Sequence, residues 1–299
     1  MQKAKTLYTI TLEPWRSEAL AAWCERYHWA FFSVQHACYA YRTEGIQVVF
    51  YQSGKLVIQG KKTEEFVLNV LEPEITKQPL LGVERETHPE WFIPHAGLDE
   101  SGKGDLFGPL VTACVIAEDT CVDFWIKNGL KESKCVGSDA RLFQMEKLVR
   151  SPHDVVIEFS YMSMEKYNQL YYQFGNLNEL LGWLHARTLE KALARCPVKK
   201  GLLDQFSTSH LVQKHLKVKE FSLRQQIRAE SDPVVAAASI IARAEYVRQL
   251  QALSQLAGIE LPKGAGVQAK EALRELKNRK SEKELPQFVK MHFKTVHEV

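Results

Sequence analysis

The chain has 299 residues, 45% hydrophobic and 25% charged, with a formal net charge of +3. These values exclude disordered, collagen-like and fibrous chains, and the length suits about two domains with a sizeable core. No apolar run approaches the ~20 residues of a membrane span, and the opening MQKAKTLYTITLEPW alternates without a signal-peptide core.

In chain order, residues 7–12 alternate like a half-buried strand, and a helix is predicted over 16–27. Strand-like runs follow at 39–42, 47–51 and 55–59, with Ser53-Gly54 as the turn between the last two. A second helix is expected over 63–71. The stretch 72–94 carries Pro73, Pro79, Pro89 and Pro94 among many charges, which marks a boundary. We therefore expect an N-terminal α+β domain over 1–80, a linker over 81–94 and a second domain over 95–299. In the second domain an apolar strand ends at Gly97-Leu98-Asp99, and a β-branched run covers 108–116. Helical spacing marks 140–149, 177–193 and 233–253, with a buried strand at Gly201-Leu-Leu203. Strands interleaved with helices predict an α/β sheet covered by helices. Beyond Lys263 the chain is rich in Lys and Arg. The six cysteines, at 24, 38, 114, 121, 135 and 196, form no CxxC pair. They read as reduced thiols of a cytoplasmic protein, against a disulfide framework or a structural zinc.

The chemistry concentrates in Gly97-Leu-Asp-Glu-Ser-Gly-Lys-Gly-Asp-Leu-Phe-Gly-Pro109. Asp99 and Glu100 stand where an apolar strand meets a glycine-rich turn, and like charges so close raise each other's pKa unless a cation lies between them. Hard Mg²⁺ or Mn²⁺ prefers such oxygens. Asp204 ends the strand 201–203, and Glu230 precedes the 233–253 helix, where its charge also suits the helix N-terminus. Four acids from separated segments are what a two-metal nuclease centre requires; singly, each also reads as a solvated or capping residue. Gly97-x4-Gly102-Lys103 matches the start of a phosphate-binding P-loop, but Gly104 stands where Ser or Thr should hold Mg²⁺, and two acids in the loop would repel a triphosphate.

The 97–109 segment resembles the signature of type 2 ribonucleases H, specifically bacterial ribonuclease HIII. Glu132-Ser133-Lys134, Asn176-Leu-Asn178, Leu203-Asp204-Gln205-Phe206, Ala229-Glu230-Ser231, Ala236-Ala-Ala-Ser-Ile-Ile-Ala-Arg243, Pro262-Lys-Gly-Ala-Gly266 and Lys290-Met-His-Phe293 agree with it. Tyr51-Gln-Ser-Gly-Lys55 and Gln59-Gly-Lys61 resemble the appended N-terminal domain of that subtype, which is similar to the TATA-binding-protein fold.

The resemblance implies an α/β, RNase H-like catalytic domain behind that small α+β domain. It also implies an endonuclease cutting the RNA strand of RNA–DNA hybrids with two Mg²⁺ or Mn²⁺ ions held by Asp99, Glu100, Asp204 and Glu230. Asp232, two residues beyond Glu230, competes for the fourth place. Glu132 stands where the motif usually has Asp, and Gly102-Lys103-Gly104 replaces the Gly-Arg-Gly of ribonuclease HII. The RNA strand differs by its 2′-hydroxyl, and Ser101 with the backbone of Gly102, Lys103 and Gly104 suits a close approach to the minor groove; a tight turn would need the same glycines. Ser133 and Lys134 are further substrate-binding candidates. Lys103 and Lys134 read either as contacts to phosphate, as charge neutralisers near the metals, or as surface lysines. Tyr51, Lys55, Gln59 and Lys61 are expected to form a duplex-binding face. His185, beside Trp183, is a proton shuttle or a packing residue. The expected protein is a cytoplasmic monomer with no membrane partner; the competing reading is a catalytically silent hybrid-binding module.

Overall fold

The computed structural model describes residues 6–77, 84–130 and 136–298. The chain divides into two compact units, Met1–Pro89 with Lys127–Gly129, and Glu90–Ile126 with Leu130–Val299.

The first unit runs β1 Leu7–Thr11, α1 Pro14–Arg26, β2 Ala30–Phe31, β3 Ala37–Thr43, β4 Ile46–Tyr51 and β5 Lys55–Gln59. Its antiparallel sheet has the order β1-β5-β4-β3-β2. Alternation decides the faces. Tyr39, Tyr41, Val48, Phe50, Leu56 and Ile58 join Leu20 and Cys24 of α1 in one core. The helix α2, Thr63–Phe66, continues as a π-helical stretch, Val67–Thr76, which adds Val67, Leu71 and Ile75 to that core. The helical path therefore ends at Thr76 rather than at 71. Pro73 lies inside it, and its missing N–H is accommodated by the wider turn. A short helix α3, Glu84–Thr87, and a 3₁₀ turn, Pro89–Phe92, occupy much of the expected linker.

The second unit is a five-stranded sheet of β6 His95–Ser101, β7 Val111–Ala117, β8 Val156–Tyr161, β9 Lys200–Asp204 and β10 Ser222–Gln226, in the order β10-β9-β6-β7-β8. Strands β6, β7 and β8 pair antiparallel, whereas β9 and β10 run parallel to β6. Every residue of β7 is buried, as a central strand covered on both faces requires. The helices are α4 Asp119–Lys127, α5 Asp139–Val149, α6 Met164–Phe174, α7 Leu177–Arg195, α8 Leu211–His215, α9 Pro233–Ala257, α10 Val267–Arg279 and α11 Lys294–Glu298. α7 packs on one face of the sheet and α9 on the other. α9 lies so close to β6 that a Cβ at Gly97 would come within 2.5 Å of the Val234 backbone. The small residues at the start of α9 follow from that approach. The basic segment beyond Lys263 is an amphipathic helix, α10, which buries Ala269, Ala272, Leu273 and Leu276. Cys24, Cys114 and Cys121 are buried free thiols, and burial pushes the Cys24 pKa up to about 12.

Candidate active site

The register of β6 on β9 pairs Ala96 with Gly201, Gly97 with Leu202 and Leu98 with Leu203. Asp99 and Asp204 each follow the last pair of these neighbouring parallel strands, about 4.8 Å apart; Asp204 ends β9, whereas β6 runs on through Glu100 and Ser101 beyond the expected end at Asp99. Asp99 is 8% exposed, and its Oδ1 accepts from the Glu100 amide at 2.7 Å. Asp204 Oδ1 accepts from the Ala229 amide at 3.0 Å. That contact ties β9 to the 3₁₀ turn Ala229–Ser231, which carries half-buried Glu230. The turn starts from Arg228 in the left-handed region, φ 58°. That is an uncommon conformation for a residue with a side chain, of a kind found at functional sites.

Glu100 goes elsewhere. Alternation along β6 sends Gly97 and Asp99 toward α9 and Leu98 and Glu100 toward α7. There Glu100 Oε2 accepts from Nε2 of His185 at 3.1 Å, and its β7 partner Thr112 bonds Thr188 of α7 at 2.7 Å. The structure thus brings the segments of Asp99, Asp204 and Glu230 together on the α9 side and turns Glu100 to the opposite face.

His185 is fully buried, which removes it from the solvent path of a shuttle, and it does more than pack. It holds Glu100, and its ring stacks on Phe206 at 5.5 Å and 10°. Lys103 lies over Phe206 at 5.2 Å, and its Nζ donates to the Phe206 carbonyl at 3.3 Å. Sequence reasoning missed this His185–Phe206–Lys103 stack, because its members are far apart in the chain.

Asp232 is 3% exposed and fully engaged. Its Oδ1 accepts from the amides of Val234 and Val235 at 2.8 and 3.3 Å, capping α9, and His95 Nε2 lies 3.1 Å from Oδ2. His95 Nδ1 is 2.7 Å from the Ile93 carbonyl. Burial disfavours a charged imidazole here, but Asp232 and that carbonyl outweigh it, and the His95 pKa is raised. The helix N-terminus therefore belongs to Asp232, not to Glu230.

Gly102 is buried at φ +88°, where a Cβ would stand 2.2 Å from the Pro109 carbonyl oxygen, so glycine is required. Ser101 and Lys103 are half-buried and Gly104 is exposed. Ser133 and Lys134, with Glu132, lie outside the described residues.

In the first unit, the sheet face opposite the helices carries Lys55 and Gln59 of β5 and Tyr51 of β4, with Lys61 exposed just beyond β5. The pairings Gln47↔Gln59 and Arg42↔Gln47 add two residues, Gln47 and Arg42, to those expected on this face. Gln47 Nε2 donates to Gln59 Oε1 at 3.3 Å. Their signal was the same alternation that places Val48 and Phe50 in the core.

A family model described as Ribonuclease HII matches residues 96–296, and one described as a domain of unknown function, DUF3378, matches residues 26–79. Ribonuclease HIII of Chlamydia abortus is 36% identical over 98% of this chain and 97% of its own length. The chain belongs to the ribonuclease HIII family. The Chlamydia trachomatis serovar D ribonuclease HIII is 38% identical over 88% of this chain and 87% of its own. Among solved structures, Aquifex aeolicus RNase H3 matches with TM-score 0.55 at 26% identity, over 95% of this chain and 99% of its own. Bst-RNase HIII in complex with Mn²⁺ matches with TM-score 0.66 over 98% of this chain and 97% of its own, at 24% identity, a likeness of fold.

As a ribonuclease HIII the chain is a divalent-metal-dependent endoribonuclease that cuts the RNA strand of RNA–DNA hybrids. Among the described residues no three His, Cys, Asp or Glu side chains stand grouped as a ready-made metal cage. The donor chemistry nevertheless suits a hard divalent ion. It consists of carboxylate oxygens at adjacent strand ends, with Asp99 and one Glu230 oxygen buried, where gathered negative charge is costly without a cation. No helix among the described residues is long and apolar enough to cross a membrane.

Proposed function

We propose that hydrolysis of the RNA strand takes place at the carboxyl ends of β6 and β9, with Asp99, Asp204 and Glu230 as the acids that hold two Mg²⁺ or Mn²⁺ ions. The observation that carries this reading is the parallel register that makes Asp99 and Asp204 neighbours, joined to the Glu230 turn by the Ala229 amide. When bound, the ions supply Lewis acidity for the attacking water and for the departing sugar oxygen. The protein's part is to fix the carboxylates. The Glu100 amide orients Asp99, the Ala229 amide orients Asp204, and His185 holds Glu100, the supporting fourth acid. Glu230 rather than Asp232 completes the set, because both oxygens of Asp232 already serve the α9 cap and His95.

Ser101 and the Gly102–Lys103–Gly104 turn meet the minor groove, where the 2′-hydroxyl marks the RNA strand. The exposed backbone at Gly104 supports close approach. Ser133 and Lys134 complete the contacts. Residues 1–80 form a TATA-binding-protein-like domain, followed by a linker over 81–94 and the catalytic domain over 95–299. The β-α-β-β-β-β-α path with helices on one sheet face supports that likeness. The other face, with Tyr51, Lys55 and Gln59, and Lys61 beside it, takes the duplex. Reduced buried thiols suit a cytoplasmic enzyme.

The test is cleavage of a labelled RNA–DNA hybrid and of a DNA duplex carrying one ribonucleotide, each with Mg²⁺ and with Mn²⁺. Asp99→Asn and Asp204→Asn are expected to abolish cleavage while hybrid binding persists. Undiminished turnover by Asp99→Asn overturns the assignment.

A further inference from the structure

Lys290 is fully buried, and its ammonium is received by backbone. Nζ donates to the carbonyl oxygens of Asp105 and Gly108, at 2.8 and 2.5 Å, and lies 5.5 Å from the centre of the Tyr167 ring. Desolvation pushes the Lys290 pKa down to about 7, so a cation is held at a cost in the place where it is needed.

Asp105 and Gly108 belong to the segment that follows the Gly102–Gly104 turn, and this segment is anchored at nearly every peptide. The Gly102 carbonyl accepts from Asp105 N, that of Leu106 from Lys290 N, and that of Phe107 from Tyr246 Oη. The Leu106 amide donates to Gly264 O, and the Gly264 amide donates back to the Asp105 carboxylate. Gly102 and Pro109 close the neck, since nothing larger than hydrogen fits between them. The Lys290 ammonium sits inside this loop and draws two carbonyls inward, while half-buried Lys103 and exposed Gly104 form its tip. The backbone of Lys290 has its own supports. Asn168 donates to Pro286 O and Val289 O and accepts from Met291 N, and Phe107 pairs with Val289.

We infer that Lys290 is a positioning residue for substrate binding: by gathering the Asp105 and Gly108 carbonyls it holds the Lys103–Gly104 tip where the tip meets the hybrid. The inference rests on the reading of Gly102–Gly104 as substrate-facing.

Lys290→Met keeps the length of the side chain without the ammonium, and Lys290→Gln keeps one donor group. Both proteins are followed by thermal melting, amide hydrogen exchange and steady-state cleavage of a hybrid at saturating Mg²⁺. Without the charge-assisted bonds to two carbonyls, KM should rise about tenfold in Lys290→Met, less in Lys290→Gln, with kcat within about threefold. Amides of 103–108 should exchange faster while those of α9 keep their protection, which a general loss of stability would not produce. Unchanged exchange at 103–108, or a fall in kcat at constant KM, overturns the inference; if Lys290→Met does not fold, Lys290→Gln is judged by the same criteria. Gly104→Ala separates the two readings, because its added methyl has nothing within 4 Å in the free protein. It should raise KM without altering exchange. An unchanged KM there removes the substrate-facing reading, while the loop-holding role of Lys290 stands or falls on the exchange data.

Discussion

Fully buried His185 pairs with half-buried Glu100, Nε2 of the imidazole lying 3.1 Å from the carboxylate, on the sheet face opposite the one toward which Asp99 points. Adjacent residues of one strand thus face different helices. Glu100 is the proposed supporting acid beside the metal-holding ones, and groups that support metal-holding carboxylates typically govern affinity by about 10–100-fold. His185→Ala should therefore raise the Mg²⁺ concentration for half-maximal cleavage about tenfold or more, with much of the rate regained at high Mg²⁺. An Mg²⁺ dependence like that of the wild type, accompanied only by a lower melting temperature, would reduce His185 to packing.

Glu230 and Asp232 should respond oppositely to substitution. Glu230→Gln is expected to cut turnover by at least about a hundredfold with little change in urea stability. Asp232→Ala removes an α9 cap and strands a buried imidazole, and should cost about 1–3 kcal/mol in urea unfolding. The reverse pattern would move the metal role to Asp232.

The His95–Asp232 pair also sets a pH trend. Asp232 and the Ile93 carbonyl, with Glu90 nearby, raise the His95 pKa in the folded state. The stabilisation it contributes is complete below the unfolded value of about 6.5 and is lost as pH rises through the raised folded value. The stability difference between wild type and His95→Gln should accordingly shrink as pH rises from about 6 through that range. A difference that grows with pH would show that His95 is neutral in the fold.

On the first unit, Arg42→Ala and Lys55→Ala should weaken hybrid binding while leaving kcat at saturation unchanged. Removing one side chain that neutralises a phosphate should make the slope of log affinity against log salt shallower by about 0.9. Slopes equal to that of the wild type would take this face out of the backbone-binding surface.

Much of the chemistry was legible in the sequence by itself. Asp99-Glu100 before a glycine turn, Asp204 after an apolar strand, and Glu230 before the 233–253 helix stood out as candidate acids, because strand ends and helix starts are visible as changes of periodicity; the resemblance to ribonuclease HIII, not periodicity, grouped them into one set. The same alternation anticipated β1 and β3–β5, whereas α3, α4, α6, α8, α10, α11, β2, β8 and β10 went unpredicted. The helix α10 was hidden because its charged face dominates the composition of that segment.

Tertiary structure alone decided the partnerships. That Glu100 turns from Asp99 toward His185, that Asp232 is spent on capping and on His95, and that Lys290 reaches back to Asp105 and Gly108 are contacts between segments separated by 85, 137 and over 180 residues. Local periodicity records which face a residue occupies, but hydrogen bonding across such separations depends on how the sheet and its helices are packed, and no window of sequence contains that packing.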